Sequence, residues 1–249
     1  MNYLATVSYN GARFHGFERQ PHLRTIQGSL EKALSQLCGK PTLIKGAGRT
    51  DAGVHALAQR FSFQTDEIKD TGAFLFALNR LLPSDIVVKA VEAVPDSFDA
   101  RHSSCGKVYC YKFSYGERDP LQKETRAQLE RRNFDPAAFK KALRYFVGTH
   151  NFQNFTTKPD DVDGFLRHIE AIDVQLDEAT KTGEVTFKGN GFMTYMVRLI
   201  MGCAFKAALG KIQPEEIPAL IAASPRHIVA FKAPAEGLYL VEVLYAKRS

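Results

Sequence analysis

The sequence has only four cysteines, Cys38, Cys105, Cys110 and Cys203, with no C-x-x-C pair and no histidine at finger-like spacing. Neither a zinc site nor a disulfide framework is indicated, and reduced thiols in a cytosolic protein are the simpler expectation. No run approaches the roughly 18 apolar residues of a membrane-spanning helix. The opening MNYLATVSYNG has no basic and then apolar stretch, so no signal peptide is expected. Two further absences narrow the chemistry. In the glycine-rich segment that starts at Gly46, a G-x-G-x-x-G pattern fails at Asp51 and no G-K-[ST] follows, which argues against a phosphate-cradling loop. The same segment supplies one carboxylate, whereas ordinary glycoside hydrolysis needs two.

The chain is 249 residues long, enough for one large domain or two fused modules. With 45% hydrophobic and 24% charged residues it is expected to fold and to be soluble. Lysine and arginine number 33 against 27 acidic residues, and the resulting net charge of +6 leans toward a polyanionic partner such as nucleic acid.

Hydrophobic spacing divides the chain into two similar runs. Residues 2–9 alternate as a strand, and Ile26, Leu30, Ala33, Leu34 and Leu37 recur at helical spacing until Gly39. Residues 42–47 and 57–63 read as strands, Thr71 to Leu82 as a helix stopped before Pro83, and 86–94 as a strand. The order β-α-β-β-α-β then returns. Lys107 to Tyr115 alternates, Asp135-Pro136 opens a helix through Val147, and 167–177 and 184–190 read as strands. Met193 to Leu209 reads as a helix closed by Gly210, Pro214 opens a short helix, and Tyr239 to Tyr245 forms a last strand. The charge-rich 117–133 stretch and KPDDVDG at 158–164 read as exposed connections. The fold expected is α+β: two ferredoxin-like halves, residues 1–104 and 105–249, joined around a mostly antiparallel sheet with a central RNA-binding cleft.

Four segments are dense in chemical groups. Gly46 to Ala56 packs three glycines, Arg49, Thr50, Asp51 and His55 into eleven positions between two strands, too many polar groups for a bland connection. A single ionised Asp51 suits a nucleophile or a base, kept ionised by Arg49 or another buried arginine. The alternative is a structural turn in which Asp51 bonds its own backbone. Arg198 lies in a helix whose neighbours are nearly all apolar, so it is expected either to pair with a carboxylate or to snorkel to water. Lys107, Tyr109 and Tyr111 share one strand face, suited to stacking a base or to packing in a sheet core. The loop from Tyr9 to Gln20 holds Arg13 and Arg19 with two phenylalanines and suits contact with an RNA backbone.

Together these segments resemble the TruA-type family of tRNA pseudouridine synthases, whose G-R-T-D-A-G-V-H-A loop stands here from Gly48 to Ala56. The resemblance extends to Y-x-G-x-x-F-x-G at Tyr9 to Gly16, to Ala100-Arg101, and to K-x-Y-x-Y at 107–111. It also covers Asn190, Phe192, Met196, Val197 and Arg198 with Gly202 beyond, and A-x-G-L-Y-L-V at 235–241. It departs from the family at Phe17-Glu18, His102, Val108, Cys110 and in 117–133. The resemblance implies that Asp51 is the catalytic aspartate, that Tyr109 stacks on the target uracil and that Arg198 pairs with Asp51. Arg49, His55 and Arg13 would lie close to the RNA. It further implies isomerisation of uridine to pseudouridine at positions 38, 39 and 40 of the tRNA anticodon stem-loop, with no cofactor, by a cytoplasmic homodimer. The competing expectations are a non-catalytic RNA-binding or chaperone protein on the same scaffold, or a family member with a shifted RNA target.

Overall fold

A computed structural model describes residues 1–129, 133–158 and 164–246. In chain order the elements are β1 (Asn2–Tyr9), α1 (Ile26–Cys38), β2 (Ile44–Gly46), β3 (His55–Gln64), α2 (Thr71–Leu81), β4 (Ile86–Val94) and β5 (Ser104–Ser114). There follow β6 (Ala127–Gln128), α3 (Pro136–Arg144), β7 (Gly148–Asn151), β8 (Leu166–Asp177), β9 (Thr182–Gly189), α4 (Met196–Ala208), α5 (Ile217–Ala222) and β10 (Leu238–Tyr245). The chain is mixed α and β with mostly antiparallel strands, and it divides into two compact units: Met1–Cys105 with Tyr239–Ser249, and Gly106–Leu238.

In the first unit β1 is central, antiparallel to β4 on one side and to β3 on the other, and β2 pairs antiparallel with β3. Paired on both edges, β1 is buried along most of its length. The Thr25 hydroxyl caps α1 by accepting the Gly28 amide at 3.2 Å, and Gly39 ends that helix at φ 67°, a backbone region in which only glycine escapes a steric cost. Ile26, Leu30, Ala33 and Leu34 form the buried stripe that their spacing predicts. Asp70 caps α2, and the Phe74 ring stacks on Phe63 of β3 with centroids 6.2 Å apart. The last strand, which the sequence reading keeps with the second half, pairs in parallel with β3 at Tyr239–His55 and Leu240–Ala56. Its Tyr245 hydroxyl donates to the Ala100 carbonyl at 2.8 Å, so both ends of the strand are tied into the first unit.

The second unit pairs β5, β9, β8 and β7 in antiparallel sequence, with the two-residue β6 parallel to the end of β5. Its core is aromatic. Phe113 of β5, Phe139 of α3 and Phe205 of α4 meet with centroids 5.0 to 5.6 Å apart. Every residue of α4 except Lys206 is buried, as a helix apolar on all sides requires. It starts at Met196 rather than Met193 because Tyr195 takes a left-handed conformation, φ 64°, and the Met193 carbonyl accepts the Met196 amide in a tight turn. Similarly α3 ends at Arg144: tighter bonds from Phe146 to Leu143 and from Val147 to Arg144 unwind it into β7, a strand that the sequence reading does not contain. The 117–133 stretch, expected to be exposed, is exposed or half-exposed at its described residues except at Ala127, which packs fully against its unit. The Gln128 side chain accepts from Ser114 and from the Asp119 amide, closing the segment on itself. Residues 130–132 of that stretch and 159–163 of the expected 158–164 loop lie outside the described residues.

One glycine governs the packing of α4. A Cβ on Gly202 would lie 1.8 Å from the Phe231 carbonyl oxygen, so the 229–234 segment crosses the helix at backbone distance. Gly202→Ala is expected to lower stability by about 2 to 3 kcal/mol through overpacking, read as a lower denaturation midpoint. Gly28→Ala, in α1 and facing only the Thr25 hydroxyl, is expected to be neutral or mildly stabilising. Equal midpoints for the two variants would refute the close approach.

Candidate active site

The loop from Ala47 to Val54 hangs between β2 and β3, and its two ends are fixed by the sheet. At one end the Ala47 amide donates to the Arg60 carbonyl at 2.8 Å, and Gly48 accepts from the buried Gln59 side chain at 3.1 Å. At the other end the strand begins at His55, two residues earlier than the alternation predicts, because Ala56 pairs with Tyr9 of β1 and His55 with Tyr239 of β10.

Between these anchors the loop is knitted to the loop that follows β1. Thr50 accepts the Phe17 amide at 3.0 Å, Phe14 accepts the Gly53 amide at 3.3 Å, and the buried hydroxyls of Tyr9 and Thr50 meet at 2.8 Å. Burial pushes the Tyr9 phenol well above its usual range, so the hydroxyl stays neutral and available to that bond. Two glycines make the approach possible. A Cβ on Gly11 would sit 1.9 Å from the Val54 carbonyl oxygen, and one on Gly16, at φ 94°, 2.8 Å from the Thr50 carbonyl oxygen. Gly53, at φ 79°, turns the chain so that the Val54 amide donates back to Asp51 at 3.1 Å. Asp51 stands at that turn, half-buried, directly after the clamped Thr50.

The other candidate residues of the first unit fall into two environments. His55 is 2% exposed, its ring stacked on Tyr239 at 4.6 Å. Its Nδ1 accepts the Gly11 amide at 3.1 Å, which puts the proton of the neutral ring on Nε2. Arg49 and Arg13 are exposed. The Arg49 guanidinium pairs with Glu18 at 2.5 Å, because its side chain leaves the loop on the solvent side while Asp51 follows the buried Thr50.

In the second unit Tyr109 lies on β5, 7% exposed, its ring and that of Phe192 forming a T-shaped pair with centroids 5.2 Å apart. Tyr111, two residues on, is wholly buried: its hydroxyl donates to the Pro234 carbonyl at 2.8 Å and its ring meets Phe205. Of the aromatic pair on that strand face, Tyr111 therefore belongs to the core. Arg198, 9% exposed, is gripped from one side. Its Nε donates to Ala233 at 2.8 Å, its own carbonyl accepts the Ala233 amide at 2.9 Å, and its guanidinium lies over the Tyr195 ring at 5.2 Å. Sequence reasoning missed the 229–234 segment that does this. The signal was Gly202, a glycine inside an apolar helix four residues beyond Arg198, which marks a close backbone approach. Among the described residues no cluster of three or more histidine, cysteine or carboxylate side chains is placed to hold a metal ion. No described helix is long and apolar enough to cross a membrane.

A sequence-family profile described as tRNA pseudouridine synthase matches residues 5–103 and 142–246, which takes in the clamped loop, Tyr9, His55 and Arg198. The protein named tRNA pseudouridine synthase A of Ruminiclostridium cellulolyticum is 37% identical over 240 residues, 96% of this chain and 98% of that one. Its namesake in Acetivibrio thermocellus is 36% identical over 244 residues, 98% of this chain and 99% of the relative. A Bacillus anthracis protein named tRNA pseudouridine synthase A 2 is 36% identical, covering 97% and 98% of the two chains. The chain belongs to the tRNA pseudouridine synthase family, a family of isomerases.

The clamp has a measurable consequence. Gly11→Ala drives a Cβ into the Val54 carbonyl and displaces the loop that carries Asp51; with that loop as the site of chemistry, a misplacement of about 1 Å is expected to cost on the order of 100-fold in rate. Gly39→Ala, strained in backbone but with nothing within 4 Å of the new Cβ, is expected to cost about 1 to 2 kcal/mol of stability and no activity. Steady-state kinetics and melting of both variants separate the effects; full activity in Gly11→Ala would show that the clamp does not position the loop.

Proposed function

We propose that this protein isomerises uridine to pseudouridine in the anticodon stem-loop of tRNA, at positions 38, 39 and 40, with Asp51 as its catalytic carboxylate. The observation that carries the reading is the complete Gly48–Ala56 loop, bonded to sheet and neighbouring loop at both ends so that its one carboxylate stands half-buried at the turn. A group so placed is held before substrate arrives, which is what general-base or nucleophilic chemistry requires.

The reaction breaks the N1–C1′ bond, turns the uracil and joins C5 to C1′. A proton leaves C5 and one is gained at N1, so nothing is oxidised and no cofactor is consumed. A stacked uridine is out of reach of a carboxylate on a loop, so the base flips into the site. Tyr109 stacks on the uracil; the contact that holds its ring at a T-shaped angle to Phe192, centroids 5.2 Å apart, supports the role by fixing the ring in one orientation. Arg198 pairs with Asp51 and keeps it ionised. Support comes from its position in an apolar helix, where a carboxylate partner offsets the cost of a buried charge, and from the Ala233 carbonyl that orients its guanidinium. The exposed Arg13 and Arg49 bind the RNA backbone, with Arg49 exchanging Glu18 for phosphate. His55, buried beneath the first loop, serves the RNA by holding the Gly11 backbone in place.

The same reading takes the two units as ferredoxin-like halves. The first supports it with a β-α-β-β-α-β order and neighbours β4, β1, β3 and β2, all antiparallel. The second supports it with β5 beside β9 and β9 beside β8. It also takes the protein to work as a cytoplasmic homodimer.

The test is to incubate the purified protein, without nucleotide, with an unmodified tRNA carrying uridines at 38 to 40, and to map pseudouridine chemically. Formation there is expected for the native protein and none for Asp51→Ala, with fold and tRNA affinity nearly unchanged. Retained turnover in Asp51→Ala would refute the assignment of the carboxylate. Tyr109→Phe is expected to keep far more activity than Tyr109→Leu, because the ring face does the stacking; equal losses would assign the role to the hydroxyl.

A further inference from the structure

Among the described residues, three that are not glycine take a left-handed backbone: His22, Lys181 and Tyr195. The first two are exposed residues of turns. Tyr195, at φ 64° and ψ 0°, is instead a bulky, half-buried residue at the N-cap of α4, where its side chain makes no capping hydrogen bond. Asparagine suits such a place on both counts, since it tolerates the left-handed region and offers an oxygen to the first amides of a helix. Tyrosine supplies neither, and a bulky side chain makes that backbone costly. Strain of this kind gathers at functional sites, so the ring has to account for the residue.

What the ring meets is charge. Arg198, three residues on, sets its guanidinium carbon 5.2 Å from the ring centre, and the exposed Lys232 sets its ammonium 4.1 Å from the same centre. Lys232 directly precedes Ala233, whose carbonyl accepts Arg198 Nε at 2.8 Å and whose amide donates to the Arg198 carbonyl at 2.9 Å. A bond at Nε fixes one edge of a guanidinium but not its tilt about that edge. An aromatic ring beside the group sets the tilt, because cation and ring attract. Lys232, drawn to the same ring, restrains the ring in turn.

We infer that Tyr195 is a positioning residue of the active site, its ring held at a cost in backbone strain because it sets the orientation in which Arg198 presents its donors. The inference rests on the catalytic role proposed above for Arg198. Turnover of unmodified tRNA by the full-length protein tests it. Tyr195→Asn removes the ring and leaves a residue that accepts the backbone. It is expected to melt no lower than the native protein, to lose about 10-fold in kcat and to hold KM for tRNA within about twofold. Tyr195→Gly repeats the test should the asparagine variant fail to fold. Tyr195→Phe, which keeps the ring face, is expected to retain native kcat. In an Arg198→Lys background, itself slower, Tyr195→Asn is expected to cost little more, because both changes act through one group. Native kcat in Tyr195→Asn overturns the inference, as does an equal loss in Tyr195→Phe. A loss of stability that accompanies the loss of rate assigns the ring to packing and overturns it too, and fully additive losses show that the ring acts apart from Arg198. Native kcat in Arg198→Lys overturns the role proposed for Arg198 itself, and the inference with it.

Discussion

The structure of the first unit turns on a contact that side chains do not make: the backbone of Gly11 lies against the Val54 carbonyl, closer than any Cβ allows. Around that point two loops distant in sequence share their hydrogen bonds. Thr50 serves Tyr9 with its hydroxyl and Phe17 with its carbonyl, and His55 accepts from Gly11. Loops usually carry function at the expense of order. This one escapes that trade because its polar backbone groups are answered by a neighbouring loop and by both flanking strands. Tyr9, 4% exposed, lies in that contact, and its burial pushes the phenol further above its usual range.

The second unit meets a different constraint, a cation inside an apolar helix. The penalty for burying a guanidinium is severe unless its donors are engaged and its charge is answered. Here the 229–234 segment lies across α4, admitted by Gly202, and Ala233 bonds Arg198 at both Nε and the backbone carbonyl. The same segment takes the Tyr111 hydroxyl at Pro234. One irregular stretch thus orients the arginine and ties it to the strand that bears Tyr109. Rigidity of this kind suits an isomerisation, in which no external reagent arrives and the geometry of the bound base must do the selecting.

Much of this was legible in the order of residues. Gly39 marks the end of α1, Asp135-Pro136 the start of α3, and the alternation of 2–9 and 107–115 two central strands, because these are local effects of backbone conformation and side-chain period. The density of polar groups from Gly48 to Ala56 singled out the loop, for a bland connection has no use for so many. What the sequence by itself determined is therefore the set of elements, the family to which the chain belongs and the identity of the groups offered to chemistry. Only the tertiary structure decided which of those groups face solvent and which are clamped: Arg49 turns to Glu18, Tyr109 and Tyr111 are both buried, and His55 serves the backbone of another loop. It also decided that α3 stops early, that Ala127 is buried and that the last strand joins β3. The reason is the same in each case. These outcomes depend on partners far away along the chain, and neither propensity nor period carries information about which distant backbone will arrive.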